Sequence, residues 1–276
     1  MLSRTFAAGL AYAGEAFLGF QSQADGRAVQ NALERAFAAV DADMSGFSAA
    51  GRTDTGVHAT GQVIGFRTTR ERGVQAWQRG LNAHLPPTVR VTWVREVDAV
   101  FHARFSATAR RYLYVFMEGD ADPLSRSRVT PTLPLNDAAM HRAAQFLVGE
   151  CDFSSFRAAG CQSPTPFRRV NQALVRRHGP LVTIDVSANA FLLRMMRNIA
   201  GALARVGRGE WQPADFRAAM EARDRTRLGR TAAPDGLYLV DVSYPPDLLR
   251  PEDQQAGWPP GQLPPVLRSL RTLDRL

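Results

Sequence analysis

Phe47-Ser48-Ala49-Ala50-Gly51-Arg52-Thr53-Asp54-Thr55-Gly56-Val57-His58-Ala59, followed closely by Gln62-Val63-Ile64-Gly65-Phe66, is the stretch from which the fold can be read outward. The runs 47–50 and 62–66 are strand-like. Between them two glycines bracket a charged pair, Arg52 and Asp54, separated only by Thr53. A loop held between strands is a common carrier of chemistry. Its plainest reading is a turn in which Asp54 bonds its own backbone, and the rest of the chain decides whether it is more than that.

Towards the N-terminus, 5–12 reads as a first strand and 13–21 as a loop, with a turn signal at Asp25-Gly26. Residues 29–40 read as a helix with Val29, Leu33, Ala36 and Phe37 on one face. Towards the C-terminus come the strand 62–68, a helix 74–85 stopped by Pro86-Pro87, and a strand 89–97. Strand, helix, strand, strand, helix, strand is the order of a split β-α-β, ferredoxin-like unit. Residues 101–106 make a connection, and 109–116 a long strand. A helix capped by Asn136 runs to Val148, and 151–166 is polar and irregular. Strands 170–177 and 181–188, helices 191–206 and 213–221, and a last strand 236–242 repeat the plan without repeating residues. The expected fold class is therefore α+β, with halves at 1–105 and 106–245. From Tyr244 the chain is Pro-rich, and 246–276 reads as a tail, extended or disordered until Val266 and then helical for a turn or two.

With 276 residues and 45% hydrophobic residues there is ample material for a core. No run approaches the ~20 apolar residues of a bilayer span. The N-terminus has no long apolar signal region, so a cytoplasmic protein is expected. Two cysteines, Cys151 and Cys161, make no disulfide framework and no zinc pattern. The net charge of +8 suits a polyanion, most simply nucleic acid. All 34 basic residues are arginine, a bias that a GC-rich genome explains. It nonetheless excludes Schiff-base, P-loop and kinase-type lysine chemistry. Every cation is a planar fork suited to phosphate and carboxylate.

Three constellations bear on function. The helix 191–206 puts Leu192, Met195, Met196, Ile199, Leu203 and Val206 on one side, and Arg194, Arg197, Arg205 and Arg208 on the other. That polar side is either a solvated face or a row of guanidinium groups aimed at a nucleic-acid backbone or a catalytic carboxylate. The pairs Arg110-Arg111 and Arg168-Arg169 lie on strands among aromatic residues such as Phe105, Tyr112 and Phe167, a composition that holds flexible RNA. Arg110, Arg168, Arg194 and Arg205 are accordingly candidate phosphate contacts. Asp54-Thr55-Gly56 also matches the aspartic-protease triplet, but that site needs two carboxylates sharing a proton. No second such triplet exists, and the nearby Arg52 favours the charged form. The five histidines show no metal spacing and there is no Gly-rich nucleotide loop, so no metal or nucleotide cofactor is expected.

Gly51 to Ala59 closely resembles the active-site motif of the tRNA pseudouridine synthase A family, which usually has Ala where this chain has Thr55. Phe101-His102-Ala103-Arg104-Phe105-Ser106-Ala107-Thr108-Ala109-Arg110-Arg111-Tyr112 resembles a second family motif. Cys151-Asp152-Phe153-Ser154-Ser155-Phe156-Arg157, Ala188-Asn189-Ala190-Phe191, Met196-Arg197-Asn198, Asp224-Arg225-Thr226 and Gly236-Leu237-Tyr238-Leu239-Val240 follow in order. Together they cover roughly residues 4 to 245 and leave the tail outside. The resemblance implies two ferredoxin-like halves whose sheets join into one extended, mainly antiparallel sheet. It implies isomerisation of uridine to pseudouridine at nucleotides 38 to 40, in the anticodon stem-loop of tRNA, by a homodimer without cofactor. It makes Asp54 the essential carboxylate, as nucleophile at C1′ or base at C2′, and Arg197 its partner. Arg52 would help extrude the nucleotide and hold its phosphate. Tyr112 and Leu237 would pack against the uracil, Tyr112 also aiding loss of the C5 proton. A non-catalytic RNA-binding protein on the same scaffold is the alternative, but a pure binder has no need of a carboxylate facing phosphates.

Overall fold

The computed structural model describes residues 3–23, 26–44 and 46–268. Asp25 and the tail after residue 268 lie outside the described residues. The chain divides into two compact units, one of Met1–Thr108 with Leu239–Leu263 and the other of Ala109–Tyr238 with Pro264–Leu276.

The first unit runs β1 (Arg4–Tyr12), α1 (Val29–Val40), β2 (Phe47–Ala49), β3 (His58–Thr68), α2 (Val74–His84) and β4 (Val89–Val97). β1 lies between β3 and β4, antiparallel to both, and β2 pairs with β3. This is the split β-α-β arrangement expected from the element order. α1 forms because its buried residues Val29, Leu33, Ala36, Phe37 and Val40 recur three and four apart. α2 ends at His84 because Leu85 precedes a proline and is driven to extended backbone, with ψ 146°. The helices cover a core in which Phe6 stacks on its cross-strand partner Phe66 at 5.3 Å. Trp77 and Phe37 meet Phe66 at 5.2 and 5.0 Å. Each such ring contributes roughly 1.5–3 kcal/mol by leaving water.

β10 (Leu237–Ser243) follows the second unit's helices and neighbours β3 through its part in this unit. The segment after it, read from sequence as an extended tail, is packed. Trp258 sits between Phe101 and Tyr244, 5.6 and 4.9 Å away, and its indole N–H donates to the Pro245 carbonyl at 3.0 Å. Leu249 is buried and bridges Val97. A short helix, α6 (Pro251–Gln254), supplies Asp253 to Arg95. The proline content misled because Phe101, Val97 and Arg95, which help to order this segment, lie some 150 residues or more from Trp258, Leu249 and Asp253.

Glu96 is the electrostatic tie of this segment, held by Arg4 and by Arg250. The bond from Arg4 depresses the Glu96 pKa, burial opposes it, and Arg250 lowers it further. A depressed carboxyl contributes stability above its usual value of 4.5, and loses it as pH falls through the folded-state value. Glu96→Gln is therefore expected to be less stable than wild type at neutral pH, and the gap should close towards about pH 3. Urea midpoints measured from pH 7 to 3 check this; a gap independent of pH would refute it.

The second unit runs β5 (Ala109–Glu118), β6 (Thr130–Thr132), α3 (Asp137–Ala144), β7 (Gly149–Asp152), β8 (Phe167–His178), β9 (Leu181–Ala188), α4 (Met195–Gly207) and α5 (Pro213–Glu221), and a last helical turn, α7 (Pro265–Arg268), falls in it. Its strands order β5-β9-β8-β7 and are antiparallel, while β6 adds to β5 in parallel. The class is α+β with mainly antiparallel pairing, as expected. The Asn136 side chain caps α3, accepting from Ala139 N at 2.9 Å. Three readings are corrected. The helix expected to run to Val148 ends at Ala144 and tightens into a 3₁₀ turn, Gln145–Leu147. Residues 151–166 are not wholly irregular: β7 runs to Asp152 against β8, and Ser154–Phe156 is a 3₁₀ turn. And α4 starts at Met195, not at 191, because Arg194 takes the left-handed conformation, φ 57°. Among the described residues no helix is long and apolar enough to cross a membrane.

Candidate active site

The loop carrying Asp54 is held by a buried polar frame in the first unit. The Gln62 side chain, fully buried on β3, grips Gly51 from both sides. Its amide nitrogen donates to Gly51 O at 2.7 Å, and its oxygen accepts from Gly51 N at 3.3 Å. The Tyr12 hydroxyl bonds Thr53 Oγ1 at 2.8 Å and accepts from Gln62 at 3.4 Å. Burial pushes the Tyr12 pKa up to about 12 against the opposing effect of these two bonds, so it stays a neutral phenol. Thr53 is thereby pinned inward. Its neighbours take the other direction: Arg52 and Thr55 are exposed and Asp54 is half-buried.

The backbone then turns sharply. Val57 N donates to Asp54 O at 3.1 Å, and Gly56, third of the four residues, has φ 79°. A positive φ at that position is what a type II turn demands, and glycine meets it without strain. Against this turn lies the loop 13–21. Phe20 N donates to Thr53 O at 3.0 Å, and Gly14 N to His58 Nδ1 at 3.0 Å. His58 is buried, and the Glu15 carboxylate lies 3.3 Å from the same Nδ1. Gly14 approaches so closely that a Cβ there would lie 2.1 Å from the Val57 carbonyl oxygen. Tyr12, Gln62, Gly14 and His58 were not singled out from sequence as part of this frame. Their signal was faint, because the bonds that join them span 40 residues or more.

The remaining candidates lie in the second unit, where three sequence motifs converge on one buried side chain. Asn198, on α4, donates to Phe156 O at 2.8 Å and accepts from Arg225 at 3.0 Å and from Thr231 at 2.7 Å. Arg197, one residue earlier, is half-buried, and its Nε donates to Ala232 O at 2.8 Å. Ala232 N returns a bond to Arg197 O at 3.1 Å, strapping the 229–236 segment along the helix. Tyr114 O–H donates to Ala233 O at 2.7 Å farther along. Burial raises the pKa of this hydroxyl well above the usual range. The segment ends at Leu237, which is buried. Tyr112 is also buried and meets Phe191 edge-on at 4.7 Å.

The four candidate phosphate contacts differ in setting. Arg194 is exposed at the start of α4. Arg110 donates to Asn189 O at 3.0 Å. Arg168 is 8% exposed and donates to Thr165 O, Phe167 O and Ser163 Oγ, so that it ties its own loop. Arg205 pairs with Glu210 at 3.2 Å and lies 3.9 Å over the Trp211 ring. Arg208 shares Glu210 at 2.6 Å. The polar side of α4 is thus divided, its C-terminal cations being balanced by a carboxylate.

A family model described as tRNA pseudouridine synthase matches residues 8–106 and 143–245. The chain is 50% identical over 242 residues to tRNA pseudouridine synthase A of Shewanella amazonensis, an alignment covering 87% of this chain and 92% of that protein. It is 49% identical over 249 residues to the tRNA pseudouridine synthase A of Aeromonas salmonicida, covering 89% and 92%. Among solved structures, that of a Cbf5-Nop10-Gar1 complex matches 72% of this chain and 45% of that one, at 14% identity and a TM-score of 0.34, a likeness too slight to bear on the fold.

Proposed function

The chain belongs to the tRNA pseudouridine synthase family, and from that premise we propose that Asp54 is the reacting carboxylate of a tRNA-uridine isomerase acting at nucleotides 38 to 40 of the anticodon stem-loop. The reaction breaks the bond from N1 of uracil to C1′ and joins C5 to the same carbon. The C5 proton is lost and N1 gains one, so atoms and electrons balance without a redox partner or energy source. Asp54 acts as nucleophile at C1′ or as base at C2′, and both roles need an ionised carboxylate. The observation that carries the reading is the frame described above: a half-buried carboxylate on a tight turn whose two flanks are fixed by buried bonds. Such pre-organisation is what positioned catalysis requires.

Arg197 supplies a positive charge that favours the ionised carboxylate, and Tyr112 aids removal of the C5 proton. Arg52 holds the phosphate of the extruded nucleotide, Leu237 packs on its base, and the exposed Arg194 binds a flanking phosphate. Extruding the base costs a few kcal/mol, which phosphate contacts offset. A homodimer sharing one tRNA and a cytoplasmic location complete the reading, the latter because tRNA is the substrate.

Pseudouridine mapping on an unmodified tRNA transcript, with chelator and no added nucleotide, tests the proposal. New pseudouridine in the anticodon stem-loop supports it, and modification confined to another arm would overturn the site assignment. Arg197→Ala is expected to lower the rate about 100-fold, the usual cost of one pre-organised charge. It should also cost about 1 kcal/mol of stability through the lost bond to Ala232 O. A variant with wild-type turnover would remove Arg197 from the mechanism.

A further inference from the structure

We propose that Phe105 is a stacking platform for an unpaired nucleobase of the tRNA, a substrate contact additional to those at Asp54. The ring is 77% exposed, an unusual position for a large apolar side chain, and yet its backbone is fixed. His102 Nδ1 accepts from the backbone N–H groups of Arg104 and Phe105, at 3.1 and 3.3 Å. His102 and Ser106 exchange a further pair of bonds, Ser106 N to His102 O at 2.9 Å and His102 N to Ser106 Oγ at 3.0 Å. The loop is anchored beneath by Phe101 and Ala103, both buried, and by the Tyr244 hydroxyl donating to Ala103 O at 2.7 Å. Ala103 N donates to Ser48 Oγ at 3.3 Å, on the strand that leads into the Asp54 loop.

The imidazole of His102 backs the phenyl ring at 4.4 Å, tilted by 30°. The Arg104 guanidinium lies over the ring, 5.5 Å from its centroid, in the cation–π position, and its long, exposed side chain can swing aside to admit a base. A rigid, solvent-facing aromatic ring beside an arginine is the arrangement by which proteins hold unstacked bases irrespective of sequence. Collapse into the core would have hidden the ring, and the hydrogen-bonded loop prevents it. This inference rests on the reading of the chain as a tRNA-modifying enzyme.

The test uses the full chain and an unmodified tRNA transcript. Phe105→Ala is expected to weaken tRNA binding and raise KM about 5- to 100-fold, with kcat nearly unchanged, the pattern of a contact equal in ground and transition states. Phe105→Trp should keep the affinity, and Phe105→Leu, apolar without a π face, should lose most of it. Scanning the unpaired nucleotides with abasic substitutions should find one whose loss weakens the wild type and leaves Phe105→Ala unaffected. Wild-type affinity in Phe105→Ala, equal rescue by Leu and Trp, or a changed oligomeric mass would each overturn the platform. If wild type forms pseudouridine and Phe105→Ala is silent, only the platform fails. If wild type forms none on any tRNA, the isomerase reading falls and takes the platform with it.

Discussion

Asp54→Asn is expected to slow pseudouridine formation by about 1000-fold or more, while tRNA affinity stays within a few-fold. The substitution keeps the shape of the side chain and removes its charge, so neither a nucleophile at C1′ nor a base at C2′ remains. It should spare the fold, because the turn is closed by the main-chain carbonyl of residue 54 and its flank is pinned by Thr53 and Tyr12. Binding should not suffer, since removing an anion from beside phosphates lowers repulsion. Single-turnover rates on a tRNA transcript and a binding titration on the same preparation separate the two quantities. A near wild-type rate would exclude Asp54 from the chemistry. A large loss of binding would instead make it a structural residue. Thr55, where the family motif usually has Ala, is exposed at the second position of the turn, so its extra atoms meet solvent and leave the frame undisturbed.

Local patterns carried most of the fold. Leu33 and Phe37 in α1 repeat at helical spacing and are buried as expected, and Trp77 and Leu81 in α2 obey the same spacing. Pro86 ended α2 by a local rule. What escaped the sequence depends on contacts distant along the chain. Trp258 is ordered by Phe101 and Trp93, which no pattern within residues 246–276 reveals. The start of α4 was missed because Arg194 adopts a left-handed backbone that its residue type gives no reason to expect. At the site, the motif gave the position of Asp54 but not why the loop is rigid. The Tyr12, Thr53 and Gln62 side chains come from three separate segments, and each alone looks like an ordinary strand or loop residue. Arg168 sits in a setting that its sequence neighbours do not reveal. Its place in an arginine pair suggested phosphate, whereas its guanidinium is buried among the carbonyls of its own loop.

Gly14→Ala is expected to cost about 3 kcal/mol of stability and to lower the rate of the folded enzyme about 100-fold. A Cβ at residue 14 would lie 2.1 Å from Val57 O, 2.3 Å from Val57 C and 2.7 Å from Gly56 C. All three are main-chain atoms, so no side-chain rotation can relieve the overlap. Either the 13–21 loop lifts, breaking the Gly14 N to His58 bond, or the Asp54–Val57 turn is pushed away and the carboxylate moves with it. Displacement of a catalytic group by about 1 Å is enough to cost 100-fold. Gly73→Ala is the matched control, because a Cβ there meets nothing within 4 Å, and surface changes of that kind stay within about 0.5 kcal/mol. Thermal melts and turnover on both variants decide the matter. If Gly14→Ala melts and reacts like Gly73→Ala, the main-chain contact does not hold the turn, and the rigidity of Asp54 must come from the Tyr12, Thr53 and Gln62 bonds alone. If Gly14→Ala loses rate while its melting point recovers under a stabilising osmolyte, the glycine acts on catalysis through the position of Asp54, because restoring the folded population would not restore the geometry.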